Sequence, residues 1–246
     1  MKKLTLTTAL LSALTTVTAQ AGDFTIIGGV MAFDSPYKDF KDDSGVYLDA
    51  RYKNGNFSID ERGINYRVMG SDNDPLNLHV TLASAGTGYE TGDSPVFAGM
   101  AERDASLDLG VSADYKLAGG VLNATLLHDI SGAHEGLTAD LSYGYDVALG
   151  GGISWQPRVG LTYASEDYSS YYFGVRSNEA TATRVAYKAD ASVMPYAGYR
   201  LNVPFADSWS FVHEAAYAPL SDEIKNSPLV DKRDTWVASF GIGYSF

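Results

Sequence analysis

The sequence predicts an all-β protein: a single antiparallel β-barrel that spans the outer membrane of a Gram-negative cell. Three observations predict it, namely a leader typical of export, long segments of alternating apolar and polar residues, and connections that are short and long in turn. The chain has 246 residues and no cysteine, and its 18 basic and 30 acidic residues give a net charge of −12. Because a phosphate binder needs a basic face, this charge argues against nucleic acid as a partner.

Residues 1–21 contain the three parts of a secretory signal peptide. Lys2 and Lys3 form a basic start, an apolar stretch follows from residue 4 to 17, and Ala19-Gln20-Ala21 is a small-x-small cleavage pattern. We expect cleavage after Ala21, which leaves residues 22–246 as the barrel, and no lipid anchor, because no cysteine follows that site. Beyond residue 20 no apolar run is long enough for a membrane helix, so the sequence argues against a helical membrane protein.

Alternation of apolar and polar residues is the main pattern in the rest of the chain. Between residues 105 and 117, seven apolar residues face one way and six small or polar residues face the other, without a break. A period of two is typical of a strand with one apolar face. The same alternation predicts the other strands, in order, at 24–32, 46–52, 57–69, 76–82, 121–130, 137–149, 153–163, 189–203, 209–217 and 236–246.

Two architectures can give every strand one apolar face. A soluble sandwich buries that face between two sheets and uses strands of about five to six residues. A membrane barrel turns the face to lipid and needs strands of about 9 to 11 residues. Several predicted strands exceed ten residues, and their polar faces mix small residues with charges, which suits a crowded lumen, so we favour the barrel. The charged members of the polar faces are Asp49, Arg51, Asp108, Asp114, Asp140, Asp146, Arg158, Lys188 and Arg200.

The lengths of the connections predict the orientation and the strand number. Outer-membrane barrels have short periplasmic turns and longer outer loops, and with both termini in the periplasm the strand number must be even. Splitting 57–69 at Glu61-Arg62-Gly63 gives the twelve strands that we expect, whereas leaving 24–32 outside the barrel gives ten. Tight connections lie at 118–120, 150–152 and 202–207, and longer ones at 85–103, 131–135, 165–187 and 219–233.

The last strand carries a candidate membrane-assembly signal. Apolar residues recur at every second position and end on a terminal aromatic residue: Phe240, Ile242, Tyr244 and Phe246. The outer-membrane barrel assembly machinery is expected to recognise such a strand, and outer-membrane lipid is the expected surrounding of the barrel. Trp155, Trp209, Trp236 and many of the 17 tyrosines are candidates for the aromatic girdles.

Candidate chemistry is concentrated in one predicted hairpin. His128-Asp129 and His134-Glu135 are placed to form a metal site or an acid–base pair there, and His128 with Ser131 to form a catalytic pair. No helical His-Glu-x-x-His spacing and no nucleophile elbow accompanies these residues. We therefore favour a hydrogen-bonded loop, and we predict no catalytic residues, no metal site and no cofactor.

Three other stretches favour ordinary structural roles. Asp72-Asn73-Asp74 resembles half of a calcium loop but lacks the glycine and glutamate of an EF-hand, so turn chemistry is favoured. The charged run 38–43 is most simply a solvated loop. Gly28-Gly29 and Gly150-Gly151-Gly152 are not phosphate loops, because no helix is predicted after them.

Several short stretches resemble the MipA/OmpV family, the MltA-interacting proteins of Gram-negative outer membranes. They follow one another in the expected order across most of residues 22–246, and the set is specific although each piece is short. One departure is Asp39, where the family usually has a glycine two residues after the tyrosine of its first loop. The matching stretches are Ser35-Pro36-Tyr37, the hairpin 128–136, Tyr171-Tyr172-Phe173-Gly174-Val175 with Glu179-Ala180, Asn226-Ser227-Pro228-Leu229-Val230, and Gly243-Tyr244-Ser245-Phe246.

The resemblance implies a scaffold in the outer membrane that links a lytic murein transglycosylase, a murein hydrolase, to a murein synthase. Some family members are instead associated with adhesion or osmotic adaptation. The residues alone leave three alternatives open: a small-solute channel through the lumen, an outer-surface adhesin acting through the Tyr-rich loop 165–187, and, least favoured, an enzyme. They assign no role to the loops 33–44 and 165–187 and no oligomeric state.

Overall fold

A computed structural model describes residues 23–41 and 43–246, so the signal-peptide prediction lies outside the described residues. Thirteen strand segments form one antiparallel sheet. The segments are β1 Asp23–Phe33, β2 Ser44–Asn54, β3 Phe57–Asp60, β4 Gly63–Met69, β5 Leu76–Ala83, β6 Asp108–Leu117, β7 Gly120–Asp129, β8 Leu137–Tyr145, β9 Val147–Gly150, β10 Ile153–Ala164, β11 Ser192–Ala206, β12 Trp209–Pro219 and β13 Asp234–Ser245.

The sheet closes on itself into a barrel of twelve strands. β8 and β9 are interrupted at Asp146 and both pair with β10, so they form one barrel strand in two parts. β1 pairs with both β2 and β13, and β10 pairs with β11, which completes the ring. The predicted number of twelve is confirmed, because β1 belongs to the barrel and the predicted 57–69 strand divides at the turn 61–62.

The two faces of the wall follow the predicted alternation. On β2, Val46 and Leu48 point to lipid with 82% and 41% of their surface exposed, while Asp49 and Arg51 point into the lumen and are partly buried. A barrel buries its polar face and exposes its apolar face to lipid, the reverse of a soluble sheet. The candidate girdle residues Trp155, Trp209 and Trp236 all lie exposed on the outer surface.

The outer end of β6 is shorter than predicted. The strand begins at Asp108 rather than at residue 105. Ser106 is buried and donates its hydroxyl to the Asp108 carboxylate over 2.6 Å, and the carbonyl of Leu107 accepts from the backbone N–H of Ile130. Before Asp108, side-chain hydrogen bonds and one backbone bond to Ile130 therefore take the place of regular ladder pairing.

β11 is also shorter at its outer end, and the prediction that Lys188 lies on the lumen wall is wrong. β11 begins at Ser192, and Ala189 is buried with its carbonyl accepting a hydrogen bond of 2.7 Å from the Ser170 hydroxyl. Lys188 therefore lies on an outer loop, where its ammonium pairs with the Glu166 carboxylate.

The connections follow the predicted scheme of short periplasmic turns and longer outer loops. One outer connection is short: the turn 61–62 joins β3 and β4 into a hairpin whose strands are shorter than β2 and β5 on either side. The longer outer loops contain the helix Glu166–Phe173, the short helix Asp222–Lys225 and a 3₁₀ turn at Pro95–Phe97. Among the described residues no helix is long and apolar enough to cross a membrane. The periplasmic turns are 55–56, 70–75, 118–119, 151–152 and 207–208, and the long outer loops are 34–43, 84–107, 130–136, 165–191 and 220–233.

Candidate functional site

The long outer loops pack together into a cap over the outer mouth of the barrel, and the cap has a hydrophobic core of its own. Phe97 and Leu229 are fully buried, and Tyr89 stacks on Phe97 with ring centroids 3.9 Å apart. The core residues come from four of the loops: Tyr37, Phe40, Tyr89, Val96, Phe97, Met100, Val175, Tyr187 and Leu229. Because four loops share this core, it holds them together as one unit and prevents each loop from moving separately.

The stretches that resemble the MipA/OmpV family meet in this cap. Tyr37 of the first loop stacks on Phe173 at 5.4 Å and donates its hydroxyl to the carbonyl of Tyr172 over 3.1 Å. The Ser227 hydroxyl donates to the carbonyl of Phe173 over 2.6 Å, and the backbone N–H of Lys38 donates to the carbonyl of Leu229 over 2.9 Å. These contacts therefore join the outer loops 34–43, 165–191 and 220–233.

A buried ion pair lies at the centre of the cap. The Arg103 guanidinium donates to both carboxylate oxygens of Glu179, with Nη2–Oε2 at 2.9 Å and both side chains almost fully buried. Arg184 donates to the carbonyls of Val96 and Glu179 from a buried position. These bonds tie the loop 84–107 to the loop 165–191.

Burial and charge shift the pKa values of the cap residues. Burial raises the pKa of Glu179, but hydrogen bonds from Arg103 and from the backbone N–H groups of Arg176 and Ala101 outweigh it and lower the pKa to about 2. Burial raises the pKa of Tyr89 to about 12. The cap is therefore built around a carboxylate that stays charged and phenols that stay neutral over the physiological range.

Asp39, the departure from the family pattern, adopts the backbone conformation that a glycine favours. Its φ is +48°, in the left-handed region. Asp is tolerated there better than most residues, because its short side chain can bond locally, but glycine carries no steric penalty. Asp39 therefore holds this conformation at a small cost in stability.

The predicted hairpin contains histidines and carboxylates, and these side chains point to two different faces of the wall. His134 points inward, buried, with Nε2 at 3.4 Å from Oδ1 of buried Asp108. Asp129 accepts from the backbone N–H groups of Ser131, His134 and Glu135 and also from the Ser131 hydroxyl at 2.6 Å. The predicted hydrogen-bonded loop is thus what forms, with Asp129 as its centre.

The catalytic and metal alternatives involving His128 lack their geometry. His128 is on the exposed face of the wall, opposite to His134, and its Nδ1 lies 3.0 Å from the carbonyl of Gly136. Ser131 is bonded to Asp129 instead. His128 therefore forms neither the pair with Ser131 nor the pair with His134.

The buried trio of Asp108, Asp129 and His134 brings ligand atoms within 4.8 Å of one another, so we tested its fit to a metal. The Nδ1 of His134 accepts a hydrogen bond of 3.0 Å from the backbone N–H of Gly136, which puts the imidazole proton on Nε2. Nε2 then carries the proton and offers no lone pair to a metal, and it makes no hydrogen bond with Asp108 Oδ1, which lies 3.4 Å away. Asp129 already accepts four hydrogen bonds, so with this tautomer of His134 the trio does not fit a metal site.

Ion pairs cross the lumen below the cap. Arg51 contacts Asp49, Glu61 and Glu214 at 2.9, 3.2 and 3.3 Å, and Glu214 also pairs with Arg200. A second cluster joins Arg62 to Asp60 and Asp114 at 2.8 and 2.5 Å. The predicted mixed charge of the lumen is thus organised into networks in which each arginine has a carboxylate partner.

Cavities remain between these networks. Two of them, inside the barrel, have volumes of about 510 and 500 Å³. Arg51 lines both, with Glu61, Arg158 and Arg200 around the first and Asp60, Arg62 and Lys116 around the second. Volumes of this size are typical of small-molecule pockets.

Comparison with known proteins gives the family. The family model described as "MltA-interacting protein MipA" matches residues 26–246. This chain is a member of the MipA family. The predicted MipA/OmpV resemblance is confirmed, and the cap contacts described above are those of a MipA-family barrel located in the outer membrane.

Two relatives of this MipA-family chain have informative names. One is named as an outer-membrane protein, and the other is named for an interaction with MltA. The outer membrane protein OmpV of Vibrio cholerae is 34% identical over 209 residues, which cover 85% of this chain and 81% of OmpV. The MltA-interacting protein of Escherichia coli K12 is 27% identical over 226 residues, covering 92% and 91% of the two chains. Among solved structures, OmpT of Vibrio cholerae aligns with 94% of this chain at a TM-score of 0.41 and 9% identity.

Proposed function

We propose that this barrel is a non-enzymatic scaffold that holds a lytic murein transglycosylase, and with it a murein synthase, at the inner face of the outer membrane. The family description and the name of the Escherichia coli relative support such a partner for this chain. The closed cap supports it as well, because a barrel closed outside by packed loops has its accessible end in the periplasm. The absence of a free nucleophile–base pair in the hairpin 128–136 favours a binding role over catalysis.

The observation that carries the proposal is the packed cap over the outer mouth. The loops that could reach an extracellular ligand are instead bonded to one another through Phe97, Leu229 and the Arg103–Glu179 pair. The periplasmic rim, in contrast, presents a charged turn of fixed shape. In that turn Asp72 accepts from Lys53 at 2.9 Å and from Arg67 at 2.6 Å.

Hydrogen bonds from Arg67 and Lys53 lower the pKa of Asp72 to about 2, so the Asp72 carboxylate stays ionised and paired with these two cations at periplasmic pH. The Lys116 ammonium also donates to the carbonyl of Asp72 over 2.6 Å. A rigid, polar rim of this kind fits a partner that docks by charge and hydrogen bonds.

A pull-down with the detergent-solubilised barrel tests the proposal. The lytic murein transglycosylase of the same cell is expected to be retained by the wild-type barrel, and Asp72→Asn is expected to reduce its retention severalfold. The matched control is Asp222→Asn, which removes the same charge from an exposed i,i+3 pair with Lys225 on the outer side. Recovery of no murein enzyme by a heat-modifiable, folded barrel would reject the scaffold.

A small-solute channel is the second candidate, and the lumen cavities of about 510 and 500 Å³ favour it. It requires a path through the cap, which the packed core of the outer loops opposes. Planar-bilayer recording separates the two functions, because a scaffold with a closed cap carries no current.

A further inference from the structure

A histidine faces the lipid in the middle of the barrel wall. His213 lies on β12 between Val212, which is 1% exposed, and Glu214, which belongs to the ion pairs of the lumen. Because successive side chains of a strand point to opposite faces, the imidazole of His213 points outward. Phe211, two positions away, is 38% exposed on the same face. The outer surface of the wall therefore carries a polar ring among apolar side chains.

His213 lies halfway between the two aromatic girdles of this part of the wall. Trp209, the first residue of β12, is exposed beside the periplasmic turn 207–208. Tyr217 is exposed near the outer end of β12, where it pairs with the exposed Trp236. At a rise of about 3.3 Å per residue and a strand tilt of about 40°, each girdle is about 10 Å from His213 along the membrane normal. His213 is therefore near the middle of an apolar band about 25 Å tall.

The imidazole of His213 has no polar partner in its own barrel. Its ring stacks on Tyr199 with centroids 5.6 Å apart, but within residues 23–41 and 43–246 no hydrogen bond or ion pair reaches either ring nitrogen. A neutral imidazole carries one donor and one acceptor, and leaving them unbonded in hydrocarbon costs free energy. The polar groups of the lipids lie outside the hydrocarbon, beyond the reach of this side chain. A partner for His213 at this depth therefore has to come from another protein surface.

The wall beside His213 is shaped for close approach. Ala215 pairs with Ala238, and Ala238 pairs with Ala32, so three alanines lie in one row across β12, β13 and β1 on the lipid face. In the next row towards the periplasm, His213 pairs with Phe240, and both rings reach further from the sheet than the alanine methyl groups. The face therefore has a ridge of rings beside a shallow groove, and a ring of a facing surface can enter that groove.

We propose that two copies of this barrel pair in the outer membrane through the lipid-facing patch centred on His213. One imidazole donates its N–H to the unprotonated nitrogen of the other, and the ridge of each barrel packs beside the alanine groove of its partner. This pairing goes beyond the scaffold function and does not depend on it, since the murein partner is placed at the periplasmic rim.

A second copy is the occupant that fits this patch, because the patch complements itself. A two-fold axis along the membrane normal keeps both barrels in the same orientation and brings His213 of one copy to His213 of the other at the same depth. The imidazole supplies both the donor and the acceptor that such a contact needs. A different membrane protein would need a polar group of its own at mid-membrane depth, whereas a second copy provides one by symmetry.

The polar contact is expected to decide whether the two barrels stay together. The strands of two barrels are tilted in opposite senses where the barrels touch, so the contact is narrow. Lipid tails are as apolar as the wall, so apolar contact area alone gives no hydrophobic gain, and hydrogen bonds and close packing hold membrane surfaces together. Removal of the imidazole is therefore expected to separate the copies without unfolding them.

Two pairs of variants separate this contact from general effects on the barrel. His213→Leu removes the donor and acceptor and keeps an apolar side chain in lipid, whereas His213→Gln keeps a donor and an acceptor. The matched control is His128→Leu, the same change at an exposed histidine on β7 whose Nδ1 lies 3.0 Å from the carbonyl of Gly136.

The second pair tests the groove. Ala215→Trp fills the groove and leaves His213 in place. Val80→Trp is its control, because Val80 is 40% exposed to lipid on β5, six strands from β12 in either direction around the ring.

The test is energy transfer between purified barrels in liposomes. The chain has no cysteine, so Asp207→Cys in the exposed periplasmic turn gives one site for a donor dye or an acceptor dye. Transfer is expected to persist when the lipid is increased in the background with His213 intact. It is expected to fall at least fivefold in His213→Leu and in Ala215→Trp, and to stay within twofold in His213→Gln, His128→Leu and Val80→Trp.

Heat-modifiable gel mobility checks that every variant is folded. Transfer that falls to the level of random collisions on dilution of the His213 background overturns the pairing. Equal transfer with His213→Leu, or an equal loss with His128→Leu, overturns the assignment to His213. Equal transfer with Ala215→Trp and Val80→Trp overturns the groove as part of the contact.

Discussion

Glu179 and Arg103 are 76 positions apart in the chain, and their side chains form a buried pair with Nη2–Oε2 at 2.9 Å. The pair joins the loop 165–191 to the loop 84–107, and the backbone N–H of Ala101 donates to the same carboxylate over 3.1 Å. The closure of the outer mouth depends on this contact together with the aromatic core around Phe97.

Removal of one partner of this pair is expected to loosen the cap. Glu179→Gln leaves the buried Arg103 charge without its carboxylate, and such a loss costs about 3 kcal/mol or more. Limited proteolysis of the outer loops in the folded barrel is expected to accelerate strongly. Glu166→Gln is the control, because its partner Lys188 is exposed and the pair contributes little. Equal protease resistance of the two variants would contradict the account of the cap.

Acid is expected to weaken the cap through the same carboxylate. The pKa of Glu179 is about 2 in the folded protein against an ordinary 4.5, so its contribution is complete above pH 4.5 and is lost as the pH falls through 2. A shift of this size corresponds to on the order of 3 kcal/mol. Near-UV circular dichroism of the cap tyrosines, recorded from pH 7 to 2, is expected to lose signal at the acid end. In Glu179→Gln the part of the signal loss that comes from protonation of Glu179 is expected to disappear. If the wild type and Glu179→Gln show the same pH profile, another carboxylate is responsible for the loss.

Asp39→Gly is expected to stabilise the first outer loop. A glycine removes the penalty of the left-handed conformation at φ +48°, a gain of about 0.5–1 kcal/mol. Thermal unfolding followed by loss of heat-resistant gel mobility measures the effect. Asp43→Gly, in the same loop without a positive φ, is expected to lower stability slightly through the flexibility of the unfolded chain. The idea fails if Asp39→Gly is the less stable of the two.

The last strand is expected to act in assembly more than in stability. Phe246 is 73% exposed and contacts Phe24 and Tyr244 at 5.2 and 4.8 Å, so its side chain adds little to the folded barrel. Phe246→Ala is expected to lower the amount of barrel inserted in the outer membrane severalfold, with the unfolding temperature of the inserted fraction nearly unchanged. Ser245→Ala is the control. Normal insertion of Phe246→Ala would remove Phe240, Ile242, Tyr244 and Phe246 as an assembly signal.

The barrel wall was predictable from the sequence because apolar residues that face lipid and polar residues that face the lumen alternate along each strand. Val46, Val159 and Phe240 face lipid as their alternation predicts, and the division of 57–69 at Glu61-Arg62-Gly63 follows from a slip in that alternation. The errors occur where strands enter the cap. Residues 105–107 and 189–191 keep the alternating pattern, but their partners are loop residues and not a neighbouring strand.

The cap was not predictable in this way. Phe97 and Leu229 lie in loops without a period, and nothing local in the sequence pairs Arg103 with Glu179. In the lumen, Glu61 pairs with Arg158, almost a hundred positions away in the sequence. The family resemblance marked the right stretches, Tyr37, Tyr172 and Ser227 among them, because these residues hold the loops together.

Planar-bilayer recording of the purified barrel is the most direct test of the closed cap. The account predicts no conductance steps for the wild type at any voltage that the bilayer tolerates, and steps in Glu179→Gln combined with Phe97→Ala, which opens the core of the cap. Regular, ohmic steps from the wild-type barrel would contradict the closed cap and would favour the channel over the scaffold.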